Sequence, residues 1–199
     1  MSIKQIFLAS VPLFFVLALF LAFSGMIVLP VFAEDVIVTA AVDEWLTFSV
    51  NPTTLDLGTL VNSSGGLSIG SATTGLSLAS NSDDGFSISV SGTNAGLKNG
   101  AVHTILTPEA GATTTCDISG NGTDAYGAQV TSTDMTAQSP FNVTGNVVGS
   151  VTSTGQLLLS SGYTTDTLTA VMTVKASASK YDASGAYTDT LVLTAAANP

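Results

Sequence analysis

The sequence predicts an all-β protein, an antiparallel immunoglobulin-like Greek-key sandwich preceded by an N-terminal hydrophobic signal helix. After residue 35, apolar and polar residues alternate in short runs, and clusters of Gly, Asn, Asp and Ser separate those runs. No later stretch combines a helical period with capping residues. We therefore expect roughly nine to eleven strands in two antiparallel sheets.

Residues 1–33 have the pattern of a signal peptide. Lys4 gives the segment a cationic start, a nearly unbroken apolar run extends from Ile6 to Phe23, and Ala33 supplies a small residue at its end. This pattern predicts cleavage before Glu34.

The length of the apolar run also supports an uncleaved membrane anchor, since about 18 apolar residues begin to span a bilayer. Under both interpretations residues 34–199 form a single sandwich domain outside the cytoplasm. We expect the chain to contact a membrane only through its N-terminal segment. The sequence thus predicts a secreted or cell-surface protein.

The charge of the chain argues against nucleic acid as a partner. The net charge is −10, and the four basic residues, all lysines, stand against 14 carboxylates. A nucleic-acid interface needs a cationic surface that displaces the counterions of the phosphates. The single cysteine, Cys116, excludes a disulfide within the chain, and we expect it to be a small, buried or half-buried side chain.

Period-two alternation marks the individual strands. In the clearest run, Phe86, Ile88 and Val90 alternate with serines, so one face of the strand is apolar and the other is polar. The same alternation, or a composition rich in Thr, Val and Leu, predicts strands at residues 46–50, 55–57, 76–78, 168–174 and 187–194.

Turn residues punctuate these runs. Asp83-Asp84-Gly85 is one such cluster, in which glycine permits a positive φ and the acidic side chains bond their own backbone. Apolar residues nearly vanish between residues 108 and 125, so we expect the longest loop there.

Two stretches resemble known proteins. The first covers residues 42–60, and the second, residues 185–195, has the pattern G-x-Y-x-D-x-hydrophobic. The second stretch resembles the last strand of bacterial secreted sandwiches of the spore coat protein U and fimbrial type. It is also similar to the closing strand of wall-associated WxL-type domains.

This resemblance implies an immunoglobulin-like sandwich at the cell surface, often assembled or adhesive. The chain departs from both patterns. Trp45 is followed directly by Leu46, so the paired Trp-x-Leu motifs of the wall-binding family are absent, and a single cysteine cannot form the framework common in coat protein U-type domains.

Catalytic motifs are not recognisable, and the sequence predicts a protein that is not an enzyme. The only histidine is His103, in a predicted strand. It is therefore the one histidine that could act as the general base of a hydrolase triad. Most carboxylates fall in turns, where Asp bonds the backbone. A glycosidase with two facing carboxyl groups is the least favoured alternative.

One local pattern of oxygen ligands comprises Asp117, Ser119, Asn121 and Asp124. Their alternate spacing before a glycine resembles the first half of a calcium loop, but Ala128 stands at position twelve, where a bidentate glutamate belongs. An ordinary turn rich in Asp, Asn and Gly explains the same residues. We expect no cofactor, and calcium at these four residues is a secondary hypothesis.

Aromatic side chains suggest a second function, because flat rings stack on sugars. The candidates are dispersed along the chain: Trp45, Tyr126, Tyr163, Tyr181 and Tyr187. A carbohydrate-binding module of the same fold is therefore the alternative hypothesis. For Tyr187 we expect a different role: a hydrogen bond of its hydroxyl fixes the end of a strand.

The favoured function is that of a secreted, non-catalytic structural or adhesive protein of a bacterial surface. Residues 34–42 form an extended, β-favouring segment that can complete its own sheet or that of a neighbour. The expected partners are other copies of the chain, other surface proteins or glycans.

Overall fold

A computed structural model of the chain describes residues 39–63, 66–108, 114–119, 124–162 and 166–198. The chain divides into two compact units, Met1–Ala41 and Val42–Pro199. The predicted signal helix and its cleavage point lie outside the described residues. Within the described ranges, no helix has the length and hydropathy needed to cross a bilayer.

The described part of the second unit is built from fourteen β-strands and contains no helix. In chain order the strands are β1 (Leu46–Asn51), β2 (Asn62–Ser63), β3 (Gly66–Leu67), β4 (Ile69–Ser80), β5 (Phe86–Gly92), β6 (Gly96–Asn99), β7 (His103–Leu106), β8 (Thr115–Asp117), β9 (Ala125–Thr131), β10 (Thr136–Ala137), β11 (Val147–Gly149), β12 (Gln156–Ser161), β13 (Leu168–Ser177) and β14 (Leu191–Ala197).

Two main antiparallel sheets form a sandwich-like arrangement. The larger sheet has the order β1-β4-β13-β9-β11-β8, and the smaller has the order β10-β12-β5-β14. β2 pairs with β3, and β6 pairs with β7, in two further ribbons. For the part of the chain that the structure describes, the prediction of an all-β fold with antiparallel sheets is confirmed. The ribbons bring the number of strands above the expected nine to eleven, because short two-stranded pairings leave little trace in a local pattern.

The inner faces of β4 and β5 form the centre of the core. Phe86, Ile88 and Val90 are fully buried, whereas the serines between them are half-buried. Leu76 and Leu78 of β4 are equally inaccessible. Burial of each such side chain stabilises the fold by about 1.5–3 kcal/mol relative to exposure. The period-two interpretation of β5 is therefore confirmed.

Residues 52–60 are not a strand, so the strand predicted at residues 55–57 is wrong. After Pro52, which has no N–H to give to a ladder, the chain leaves β4 and packs across the sheet end. The hydroxyl of Thr74 donates to the carbonyl of Pro52 at 2.6 Å. A Cβ on Gly70 would lie 2.3 Å from the carbonyl oxygen of Leu57, so the glycine provides the space for this crossing.

Two further boundaries differ from the prediction. β14 begins at Leu191 rather than at residue 187, because the chain before it is held by side-chain and isolated backbone bonds instead of a continuous ladder. β8 lies within the stretch expected to be a long loop, where it pairs with β11. This pairing helps to cover a second apolar cluster of Ile118, Ala125 and Val148.

The turn between β4 and β5 is confirmed. Asp83 and Asp84 occupy a turn, and Gly85 has a φ of +77°, in the left-handed region that favours glycine. The N–H of Gly85 donates to the carbonyl of Ser82 at 3.1 Å. A Cβ on Gly85 would also meet the carbonyl oxygen of Ser161 at 2.1 Å, so no other residue fits.

Candidate functional site

Val50 of β1 and Leu191 and Leu193 of β14 line an open groove between the two main sheets. β1 is an edge strand of the larger sheet and pairs with β4, while β14 is an edge strand of the smaller sheet and pairs with β5. In the described part of the chain neither strand has a partner on its other side. Each therefore presents a row of unpaired backbone N–H and C=O groups to the groove margin.

The groove is apolar because the inward side chains of both edge strands remain only half-buried. They pack against the main core without being covered by it: Leu46, Phe48, Val50, Leu191, Leu193 and Ala195. Inward side chains one strand deeper, in β4 and β5, are fully buried. Among the described residues, the inward faces are thus fully covered at β4 and β5 but only partly covered at β1 and β14.

At one end the groove widens into a cavity of about 910 Å³. Its walls are residues 52–60 on one side and residues 182–190 on the other. Leu97, Ile105 and Met172 form part of its apolar lining. This volume falls in the range of protein sites that hold a small organic molecule or a row of side chains.

Asp189 anchors the wall formed by residues 182–190. Its Oδ1 accepts hydrogen bonds from the hydroxyl of Thr93 at 3.1 Å, from the N–H of Asn94 at 3.0 Å and from the N–H of Thr190 at 2.8 Å. These bonds tie the β5–β6 connection to the start of β14. Asp189 was not recognised as a structural anchor from the sequence, although it is the acidic residue of the G-x-Y-x-D pattern.

Tyr126 lies close to this carboxylate. Oδ2 of Asp189 is buried and has no hydrogen bond of ordinary geometry within the described residues. Tyr126 is almost fully buried, and burial together with the negative charge of Asp189 raises the pKa of its phenol far above the usual value. Burial and the neighbouring charge therefore favour the neutral phenol.

The hydroxyl of Tyr187 bonds the backbone, as the sequence predicted, but within the connection before β14 rather than at a strand end. Its hydroxyl donates to the carbonyl of Ala183 at 2.9 Å, within the segment that leads into β14. The ring is half-buried and lines the cavity. Tyr187 thus stiffens the cavity wall by bonding to the chain four residues before it.

Asn81 fixes the path of the chain as it enters β1. Its side chain accepts from the N–H of Trp45 at 2.7 Å and donates to the carbonyl of Asp43 at 2.9 Å. Its own backbone N–H donates to the carbonyl of Trp45 at 3.3 Å, which continues the β1–β4 ladder by one position. Residues 43–45 therefore extend in line with β1.

Two of the four predicted calcium ligands, Asp117 and Ser119, bond to each other. Oδ1 of Asp117 accepts from the N–H of Ser119 at 2.9 Å and from its hydroxyl at 2.6 Å, and these bonds lower the pKa of Asp117. This is the geometry of an Asp turn. Asn121 lies outside the described residues, and Asp124 is half-buried. No group of three or more His, Cys, Asp or Glu side chains is placed to hold a metal in the described ranges.

His103 and Cys116 stand apart from the groove lining. His103 is exposed at the start of β7. Cys116 is half-buried on β8, as the sequence predicted, and burial, followed by the charges of Asp117 and Asp124, raises the pKa of its thiol. A raised pKa keeps the thiol protonated and poorly nucleophilic.

The aromatic side chains do not share one surface. Trp45 precedes β1, level with the end of β4, whereas Tyr181 follows β13, beyond the start of β4. The length of β4 separates them by roughly 40 Å. Tyr126 is buried and Tyr163 lies outside the described residues. This placement does not support the hypothesis that the aromatic rings form a platform on which sugars stack.

Comparison with known proteins yields no relative: no family model, no curated protein and no solved structure matches the chain.

Proposed function

We propose that the chain is a secreted, non-catalytic structural or adhesive protein of a bacterial surface that assembles through the edges of its β-strands. The observation that carries this proposal is the apolar groove between the unpaired edges of β1 and β14. Exposed strand edges of this kind are templates for another strand, which supplies main-chain bonds along its length and side chains for the apolar cleft.

The segment of residues 34–42 has the composition to fill such a cleft. Val36, Val38, Ala40 and Val42 lie at every second position, so that an extended conformation places them on one face. Val42, the residue of this face within the second unit, is 86% exposed. A strand inserted in the groove would cover these side chains together with the half-buried row of β1 and β14.

Insertion into a neighbouring copy is favoured over insertion into the same copy. A tight hairpin that pairs residues 36–42 with β1 would need residues 43–45 as its turn. Asn81 holds residues 43–45 extended through its bonds to Asp43 and Trp45. Within one chain, the hairpin would have to break these bonds.

The finer fold assignment belongs to the same proposal. An immunoglobulin-like Greek-key arrangement and kinship with secreted sandwiches of the coat protein U, fimbrial or WxL type agree with two facing antiparallel sheets and a C-terminal edge strand. Kinship of this kind also agrees with a surface role. Fold likeness alone does not assign a function, so the groove carries the argument.

Light scattering and electron microscopy of the chain that begins at Glu34 test the proposal. We expect concentration-dependent oligomers or fibres. Val38→Asp with Ala40→Asp, on the apolar face of the segment, should abolish them. Thr39→Asp with Ala41→Asp adds the same charge on the opposite face and should preserve them. A strictly monomeric chain at high concentration would refute edge assembly.

A further inference from the structure

The cavity at the wide end of the groove has an apolar floor. Leu97 of β6, Ile105 of β7 and Met172 of β13 all line it. Each of these side chains is buried and belongs to the main core cluster. Their backbones are fixed by β-ladders, so the floor exists before any ligand arrives.

The walls of the cavity are two segments outside the strands, and both are anchored. Residues 52–60 bring the half-buried side chains of Leu55 and Leu57, and the hydroxyl of Thr74 bonds this segment at the carbonyl of Pro52. Residues 182–190 form the other wall, which the bonds of Tyr187 and Asp189 hold in place. The cavity therefore has the size and the largely apolar lining of a site for a small organic molecule.

The charge of the lining has one sign. Among the described residues, the charged side chains that line the cavity are three carboxylates: Asp56, Asp182 and Asp189. Lys98 follows Leu97 in β6, so alternation directs its exposed side chain away from the floor. A cleft with low-dielectric walls and charges of one sign attracts molecules of the opposite charge.

Two of these carboxylates stand at the rim rather than on the floor. Asp56 is exposed and Asp182 is half-buried, and they lie in opposite walls. Oδ1 of Asp56 accepts from the N–H of Gly58 at 2.8 Å, and Oδ2 of Asp182 accepts from the N–H of Ser179 at 2.6 Å. These bonds hold each carboxylate to its wall, so the negative charge of the rim has a fixed position.

We propose that the cavity binds an apolar molecule that carries a cationic amine group, such as an alkylamine. The apolar part covers the floor at Ile105 and Met172, and the ammonium group stays at the rim with Asp56 and Asp182. Burial of apolar surface supplies most of the affinity, and the carboxylates select the charge of the ligand. This site goes beyond the proposed edge assembly and does not depend on it.

Three ligands with the same ten-carbon chain and different head groups test the site: decylamine, decanol and decanoate. Calorimetric titration of the chain from Glu34 gives the affinities. Decylamine should bind about tenfold more tightly than decanol, and decanoate should bind most weakly because it brings a like charge to the rim.

Methionine methyl signals in NMR spectra locate the bound ligand. The chain from Glu34 contains two methionines, Met135 and Met172. Met172 lines the cavity, whereas Met135 is buried elsewhere in the core. Decylamine should therefore shift the signal of Met172 and leave that of Met135 in place.

A charge-matched pair of variants separates the cavity from the acidity of the whole chain. Asp56→Asn with Asp182→Asn removes two charges at the rim, while the asparagine oxygens still accept the bonds of the two carboxylates. This variant should bind decylamine about tenfold more weakly. Asp83→Asn with Asp84→Asn removes the same charge in the β4–β5 turn and should bind decylamine as the unchanged chain does. Asp84 bonds Asn198, so this turn is separated from Leu191 in the cavity lining by the length of β14, about 20 Å.

Each other outcome would overturn the proposal. Equal weakening by the two charge variants would mean that decylamine adsorbs to the acidic surface. Equal affinity for decanoate and decylamine would refute selection of an amine. An unmoved Met172 signal with all three ligands would show that the cavity is not a binding site. Should the asparagine variant fold poorly by circular dichroism, Leu193→Trp, at a half-buried position of the lining, should instead obstruct decylamine. Because light scattering measures assembly separately, failure of this site would leave edge assembly standing.

Discussion

The side-chain oxygen of Asn81 accepts the backbone N–H of Trp45 at 2.7 Å, across 36 residues of sequence. The same side chain donates to the carbonyl of Asp43. One amide thus satisfies a donor and an acceptor that the ladder between β1 and β4 would otherwise leave without partners at its end. Through these bonds, a residue at the end of β4 determines the direction in which the chain enters β1.

Replacing Asn81 by Ala should loosen the entry to β1. Loss of both side-chain bonds lowers the free energy of unfolding by about 1–2 kcal/mol. Trp45 is the only tryptophan and is 44% exposed, so its fluorescence should shift further toward that of free solvent. Asp83→Ala, at an exposed position of the turn that follows, serves as the control. Unchanged fluorescence and amide exchange at Trp45 would contradict the assigned role.

Ile88 and Ser89 test the alternation of β5 directly. Ile88 is fully buried, so Ile88→Ala should lower the free energy of unfolding by about 2–5 kcal/mol through lost burial and a cavity. Ser89 points to the other face, so Ser89→Ala should change it by no more than about 0.5 kcal/mol. Urea denaturation provides both values. Comparable losses for the two variants would show that the faces are assigned incorrectly.

Tyr126 should make the fold sensitive to alkali. The pKa of its phenol is raised in the folded state, so its contribution to stability is complete below the ordinary tyrosine value near 10 and is lost as the pH rises above it. Tyr126→Phe should flatten this alkaline loss in melting experiments. Tyr181, which is 85% exposed, supplies the control: Tyr181→Phe should leave the alkaline profile unchanged. Identical profiles for the two variants would exclude the burial effect.

Asp189 should matter through its hydrogen bonds rather than its charge. Asp189→Ala removes the acceptor shared by Thr93, Asn94 and Thr190, and should lower the free energy of unfolding by about 2–3 kcal/mol. Asp189→Asn retains one oxygen acceptor and should lose much less. Hydrogen exchange at Asn94 and Thr190 should rise in the alanine variant. If Asp189→Ala and Asp189→Asn lowered the free energy of unfolding equally, the charge of Asp189 would be responsible instead of its hydrogen bonds.

Calcium at millimolar concentration should leave the melting temperature unchanged. Asp117 already bonds the N–H and hydroxyl of Ser119, so that one of its oxygens is occupied in an Asp turn. Calorimetric titration measures the heat directly, and Asp117→Asn provides the matched variant. If the unchanged chain released heat on binding calcium and Asp117→Asn did not, the calcium hypothesis would be supported.

The local pattern of apolar and polar residues was sufficient to predict much of the fold. The strands around Phe86 and Leu168 and the turn at Gly85 follow from alternation and turn chemistry, which operate within a few residues. The half-buried state of Cys116 was also anticipated. The strand predicted at residues 55–57 failed because alternation there reflects packing over Gly70, with no neighbouring strand to pair with.

By itself, the sequence determined which stretches extend, which faces of them are apolar, and how acidic the whole chain is, because each of these properties depends on neighbouring residues or on composition. Only the tertiary structure decided that β1 and β14 are both edge strands among the described residues, and that Asp189 meets Asn94. These relationships join residues far apart in the chain, and the energy that selects them exists only once the two sheets have packed.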